Sequence, residues 1–82
     1  MPTILRFGKL RVMIYTNDHR PPHLHVIGSG TAARIALGEE GERPWLMTNE
    51  GLSRRQLGQA LVEIDRNRDL LVQRWREIHG DA

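Results

Sequence analysis

Apolar and polar positions alternate with a period of two through much of residues 3–37, and with a period near 3.6 after residue 53. Period two marks half-buried strands and period 3.6 marks an amphipathic helix. Residues 3–7 are a short β-prone run, and Gly8-Lys9 makes a tight turn. Leu10, Val12 and Ile14 then oppose Arg11, Met13 and Tyr15. Residues 17–22 cannot continue a ladder, because Pro21 and Pro22 have no N–H to donate. Alternation resumes with Leu24 and Val26 against His23, His25 and Ile27. It crosses a Gly28-Ser29-Gly30 hairpin turn and returns with Ala33, Ile35 and Leu37 against Ala32, Arg34 and Ala36. The pattern predicts an antiparallel sheet of three to four strands over residues 3–37. An acidic loop over 38–44 and a short strand near 45–48 follow.

Ser53 and Gln56 stand in the Ser-x-x-Gln spacing of a helix capping box. Beyond them Leu57, Leu61, Ile64, Arg68, Leu71, Trp75 and Ile78 form one stripe at helical spacing. This predicts one long C-terminal helix over about 54–79, with Gly80 as its cap. The polar run Asp65–Asp69 marks the alternative, a break near Asn67 that makes two helices. The predicted fold is a single α+β domain over residues 1–82, its helix packed on one sheet face. Leu10, Val12, Ile14, Leu24, Val26, Ala33, Ile35 and Leu37 face the helix. Arg11, Met13, Tyr15, His23, His25, Ile27 and Arg34 collect on the open face.

With 82 residues, 39% of them hydrophobic, the chain can bury only a thin core. The absence of cysteine excludes a disulfide framework and thiolate zinc sites. No apolar run approaches the roughly 18 residues that span a bilayer, and no apolar signal-peptide core opens the sequence. A soluble cytoplasmic protein with no membrane partner is therefore expected. The net charge of +2 is unevenly distributed. Arg6, Lys9, Arg11, Arg20 and Arg34 face only Asp18 in residues 1–38, while Glu39, Glu40, Glu42 and Glu50 crowd the next segment. Arg is the basic residue nearly throughout, and its planar fork suits phosphates and carboxylates. The basic half either attracts an anionic partner or is ordinary solvated charge.

Three histidines fall within seven residues, in His19-Arg-Pro-Pro-His23-Leu-His25. His23 and His25 share a strand face about 7 Å apart, from the strand rise of about 3.4 Å per residue. Two imidazoles so placed can converge on a metal ion, with His19 folding back and Asp18 or Glu50 completing the shell. They can equally serve as acid and base beside a phosphate, or hydrogen-bond a loop or stack on Tyr15. The residue pattern leaves these three readings open, and it calls for no cofactor. Trp75 belongs to the helix stripe. Trp45 packs over the sheet edge or stacks on a nucleobase.

The strings Met1-Pro2-Thr3-Ile4-Leu5-Arg6, Tyr15-Thr16-Asn17-Asp18-His19, Pro21-Pro22-His23-Leu24-His25-Val26 and Trp75-Arg76-Glu77-Ile78-His79-Gly80 resemble, in this order, the small bacterial family Domain of Unknown Function 4160. The resemblance covers nearly the whole chain and is weakest around residues 39–45. It implies a bacterial cytoplasmic protein, one of a family often encoded beside a second small domain in an arrangement read as a toxin–antitoxin pair. It brings no catalytic residues with it.

Two functions follow as expectations. One is a component of such a two-protein module that contacts RNA or DNA through the open sheet face. Here His19, His23 and His25 are the candidates for catalysis, as in a metal-independent or metal-assisted ribonuclease. Arg11, Arg20, Arg34 and Tyr15 are the candidates for nucleic-acid contact. The other is a non-enzymatic module that docks a small partner protein or a second copy of itself.

Overall fold

The computed structural model describes residues 3–38 and 41–80. Met1-Pro2 and the Glu39-Glu40 pair of the acidic loop lie outside the described residues. Five strands come first: β1 (Thr3–Phe7), β2 (Leu10–Met13), β3 (His23–Ile27), β4 (Ala32–Ala36) and β5 (Trp45–Glu50). Two helices follow, α1 (Arg54–Arg66) and α2 (Arg68–His79). The strands lie side by side in chain order, each antiparallel to the next. The architecture is α+β, as the periodicities predict.

Two details differ from the sequence reading. The sheet has five strands rather than three to four, because the segment at 45–48 runs on to Glu50 and pairs along β4 from Ala36↔Trp45 to Ala32↔Glu50. Nearly every residue of β5 is exposed. A strand with no buried face carries no alternation to read, and the register shift between Arg34 and Ile35 blurs it further.

The single helix over 54–79 is two helices, broken at Asn67. The Asn67 backbone leaves helical geometry (φ −109°, ψ 20°). Its Nδ2 donates to the Glu63 carbonyl at 2.8 Å, and its N–H is shared between the Glu63 and Ile64 carbonyls. A short amide side chain that bonds the backbone in this way competes with helix continuation. Arg68, the polar member of the apolar stripe, donates from Nε to the Leu37 carbonyl (3.3 Å) and from Nη2 to the Gly38 carbonyl (2.9 Å). The carbonyls leaving β4 thereby gain a charged donor.

The capping box forms in both directions. Ser53 Oγ accepts from the Gln56 N–H, and Gln56 Oε1 accepts from the Ser53 N–H. Gly80 ends α2 at φ 81°, with its N–H on the Arg76 carbonyl. All eight sheet residues assigned to the helix side lie in the core, joined by Leu52, Ala60, Ile64, Leu71 and Trp75. Leu57 and Leu61 pack at its margin, and Ile78 is exposed. Among the described residues, no helix is long and apolar enough to cross a membrane.

Candidate functional site

The site forms where β2 ends and the chain turns toward β3. Asp18 closes that turn from both sides. Its N–H donates to the Tyr15 carbonyl at 3.2 Å, and its Oδ2 accepts the Tyr15 N–H at 3.0 Å. Asp is suited to this because its short carboxylate reaches nearby backbone. The same carboxylate faces the start of β3. His25 Nε2 donates to it, 2.9 Å from Oδ1 and 3.1 Å from Oδ2, and His23 Nε2 lies 3.5 Å from Oδ1. His23 Nδ1 donates to the Pro21 carbonyl at 2.8 Å.

Aromatic rings wall this corner. Tyr15 stacks on His25 with centroids 4.0 Å apart, and His23 sits 5.3 Å from His25. Trp75 of α2 lies 5.7 Å from His23 and 4.0 Å from His79. His79 Nε2 then donates to the Tyr15 carbonyl at 3.0 Å. The end of α2 is thus tied to the turn that positions Asp18.

Burial works to raise the Asp18 carboxyl. The His25 hydrogen bond, the Tyr15 N–H and the fields of His25 and His23 outweigh it and hold the group below the ordinary carboxylate range. The side chains of Asp18 and His23 are each only 8% exposed, and that of His25 is 15% exposed. This corrects the picture of two histidines on an open surface. Alternation does put them on the face away from the core, but the turn over residues 15–18 and Trp75 close that end of the sheet. Met13, expected on the same open face, is buried there too.

The other candidates are scattered around the corner. Asp18 joins His23 and His25 with one ligand atom each, all within 4.8 Å of one another; His19 and Glu50 do not belong to this group. His19 is exposed on the loop. It lines a hollow of about 350 Å³ together with Tyr15, Asp18, Arg20, His23 and Arg34. Arg34 sits opposite His25 on the neighbouring strand, its Nε donating to Thr48 Oγ1 at 3.1 Å. Arg11 is exposed at the far end of the face, opposite Arg6.

The sequence profile of the family described as Domain of unknown function (DUF4160) matches residues 10–76. The chain belongs to this family. The match spans Asp18, His23 and His25 and most of α2. No curated protein and no solved structure matches the chain.

Sequence reasoning named Asp18 only as one of two optional carboxylates, and it missed Trp75 and His79 as parts of this end of the molecule and Arg6 as the partner of Arg11 at the far end. Strand pairing across the Gly8 turn could have found Arg6. Nothing local in the chain connects His79 with Tyr15, 64 residues away. Chemically, the corner offers an imidazole oriented by a carboxylate, the arrangement of a general acid–base pair, and three convergent ligand atoms.

Proposed function

We propose that the protein is a nucleic-acid-contacting component of a bacterial two-protein module of toxin–antitoxin type, with RNA or DNA lying on the sheet face away from the helices. The observation that carries this is the cross-strand pair Arg6↔Arg11. Both side chains are exposed and share one face. Like charges placed directly opposite each other on a sheet repel, and an anion between them relieves the repulsion. A phosphate backbone crossing the face from Arg11 toward Arg34 would meet both ends of this basic track and pass the hollow beside Asp18 and His23. One face of the Tyr15 ring is already taken by His25, which leaves Arg11, Arg20 and Arg34 as the main contacts.

The test is fluorescence anisotropy with labelled single-stranded RNA and double-stranded DNA. Binding should weaken as salt rises from about 50 to 200 mM, and the Arg11, Arg20, Arg34 triple alanine variant should bind more weakly with a shallower salt slope. No binding at low salt overturns the reading. A protein partner or a second copy of the chain is the other reading, favoured by the exposure of Trp45 and Leu46 on the edge strand β5. Light scattering and co-purification of a partner would then report a complex that the arginine substitutions leave intact.

A further inference from the structure

The Asp18 corner contains a mismatch of donors and acceptors. His23 Nδ1 lies 2.8 Å from the Pro21 carbonyl, and a carbonyl can only accept. Nδ1 therefore carries a hydrogen, and in the neutral form of the ring Nε2 presents a lone pair. That lone pair lies 3.5 Å from Asp18 Oδ1, itself an acceptor, with both side chains almost fully buried. A positive group between them satisfies both, and a proton on Nε2 or a metal ion can supply it. The His25 Nε2 atom approaches the same carboxylate from the other side.

We propose that Asp18, His23 and His25 bind a divalent transition-metal ion through the carboxylate and the two Nε2 atoms. Imidazole and carboxylate donors suit Zn²⁺, Co²⁺ or Ni²⁺, whereas Mg²⁺ and Ca²⁺ prefer oxygen throughout. Ligand atoms held about 2.0–2.1 Å from such an ion lie about 3.0–3.4 Å from one another. The two His–Asp separations, 2.9 and 3.5 Å, bracket that range, while the three ligand atoms together lie within 4.8 Å of one another, so the two imidazoles close toward each other when the ion binds. In the bound form the hydrogen on His25 moves from Nε2 to Nδ1, and the neutral ring keeps its proton count.

The supporting contacts are those of a metal site. Metal-bound histidines usually donate their other ring N–H to a carbonyl or carboxylate, as His23 does to Pro21, and such contacts fix ring orientation. Asp18 is held by the Tyr15 N–H through Oδ2, and Tyr15 covers His25. Three protein ligands leave a coordination position for water or an anion. The hollow of about 350 Å³ lined by Asp18 and His23 gives it room, with Arg20 and Arg34 on its wall. Metal binding here is independent of whether RNA or DNA lies on the sheet.

The experiment strips the full chain with EDTA, removes the chelator and titrates Zn²⁺ against a chromophoric competitor. Co²⁺ visible absorption reports the ligand field in parallel. One ion per chain should bind with a dissociation constant of about 1 µM or tighter. Asp18→Asn and His25→Gln should each weaken binding by at least about 10-fold, while Glu50→Gln, at a carboxylate outside the cluster, should leave it unchanged. Circular dichroism identifies any variant that fails to fold, and His25→Gln, at the least buried ligand, then carries the test with the wild-type Co²⁺ spectrum. Absence of stoichiometric binding by the wild type, or equal affinity in a folded His25→Gln variant, overturns the proposal and leaves the corner as a structural hydrogen-bond cluster.

Discussion

On the helix-covered face of the sheet Val12, Leu24, Val26 and Ile35 are wholly buried, while on the opposite face Arg11 and Arg34 are exposed. Between these extremes lies the corner around Asp18, which is buried yet built from polar and aromatic groups. The covered face is held by contact area alone, and its residues are interchangeable in kind. The corner depends on pairing: Asp18, His23 and His25 are held by hydrogen bonds, and Trp75 Nε1 is buried beside them without a partner among the described residues. A thin sheet with helices on one side can enclose a polar site only at an end, where a turn and a helix terminus meet over it. In this protein the 15–18 turn and the end of α2 do so, joined by His79 and Tyr15.

The comparison is broken most severely by a charge on the covered side. Leu71 is fully buried in α2, and its truncation to alanine should cost about 2–5 kcal/mol. Leu71→Asp should therefore unfold a domain of this size outright, seen as loss of the helical circular-dichroism signal and of a cooperative urea transition. A wild-type urea midpoint for Leu71→Asp would show that α2 does not seal the core.

A smaller loss is expected at the corner. Asp18→Asn weakens the contact with His25 and should destabilise the metal-free protein by about 1–3 kcal/mol at neutral pH. The pH dependence has a definite sign. The Asp18 carboxyl titrates lower in the folded chain than in the unfolded one, facing His25, His23 and the Tyr15 N–H. Its stabilisation is complete above the ordinary carboxylate range and is lost as pH falls through its lowered folded value. Urea midpoints measured in EDTA from neutral pH into the acid range should converge for wild type and Asp18→Asn. A constant gap across that range would show that the charge of Asp18 does not stabilise the corner.

The smallest effect on stability belongs to the open face. Arg11→Gln should stay within about 0.5 kcal/mol of wild type, and relief of the Arg6–Arg11 repulsion would make it slightly favourable. The same substitution should weaken RNA or DNA binding measurably in anisotropy titrations. A clear loss of stability in Arg11→Gln would mean that this face is not the solvated one.

How far the sequence could be read tracks burial. The strands β2, β3 and β4 were legible because one side of each meets the core, and period two survives there. The fifth strand was only partly legible, since β5 is exposed on nearly all its residues and its neighbour carries a register shift. The helix break was visible as a polar run but not decidable. An Asp-Arg-Asn-Arg-Asp stretch is as compatible with a solvated helix face as with two helix ends, and the Asn67 side-chain bond to Glu63 settles it. At the site, the spacing of His23 and His25 put them on one face, while their burial depended on Tyr15, Asp18 and Trp75.

The sequence by itself determined the α+β class, the core side of each inner strand, the caps at Ser53 and Gly80, and the shared face of the two histidines. These follow from local periodicity and from hydrogen bonds between near neighbours, which a linear pattern encodes. Only the tertiary structure decided that Arg68 clasps the carbonyls after β4, that Asp18 rather than His19 or Glu50 joins the histidines, and that this end of the sheet is closed by α2. Those outcomes join residues up to 64 positions apart. Their partners are chosen by the way the helices lie on the sheet, and no short-range periodicity carries that information.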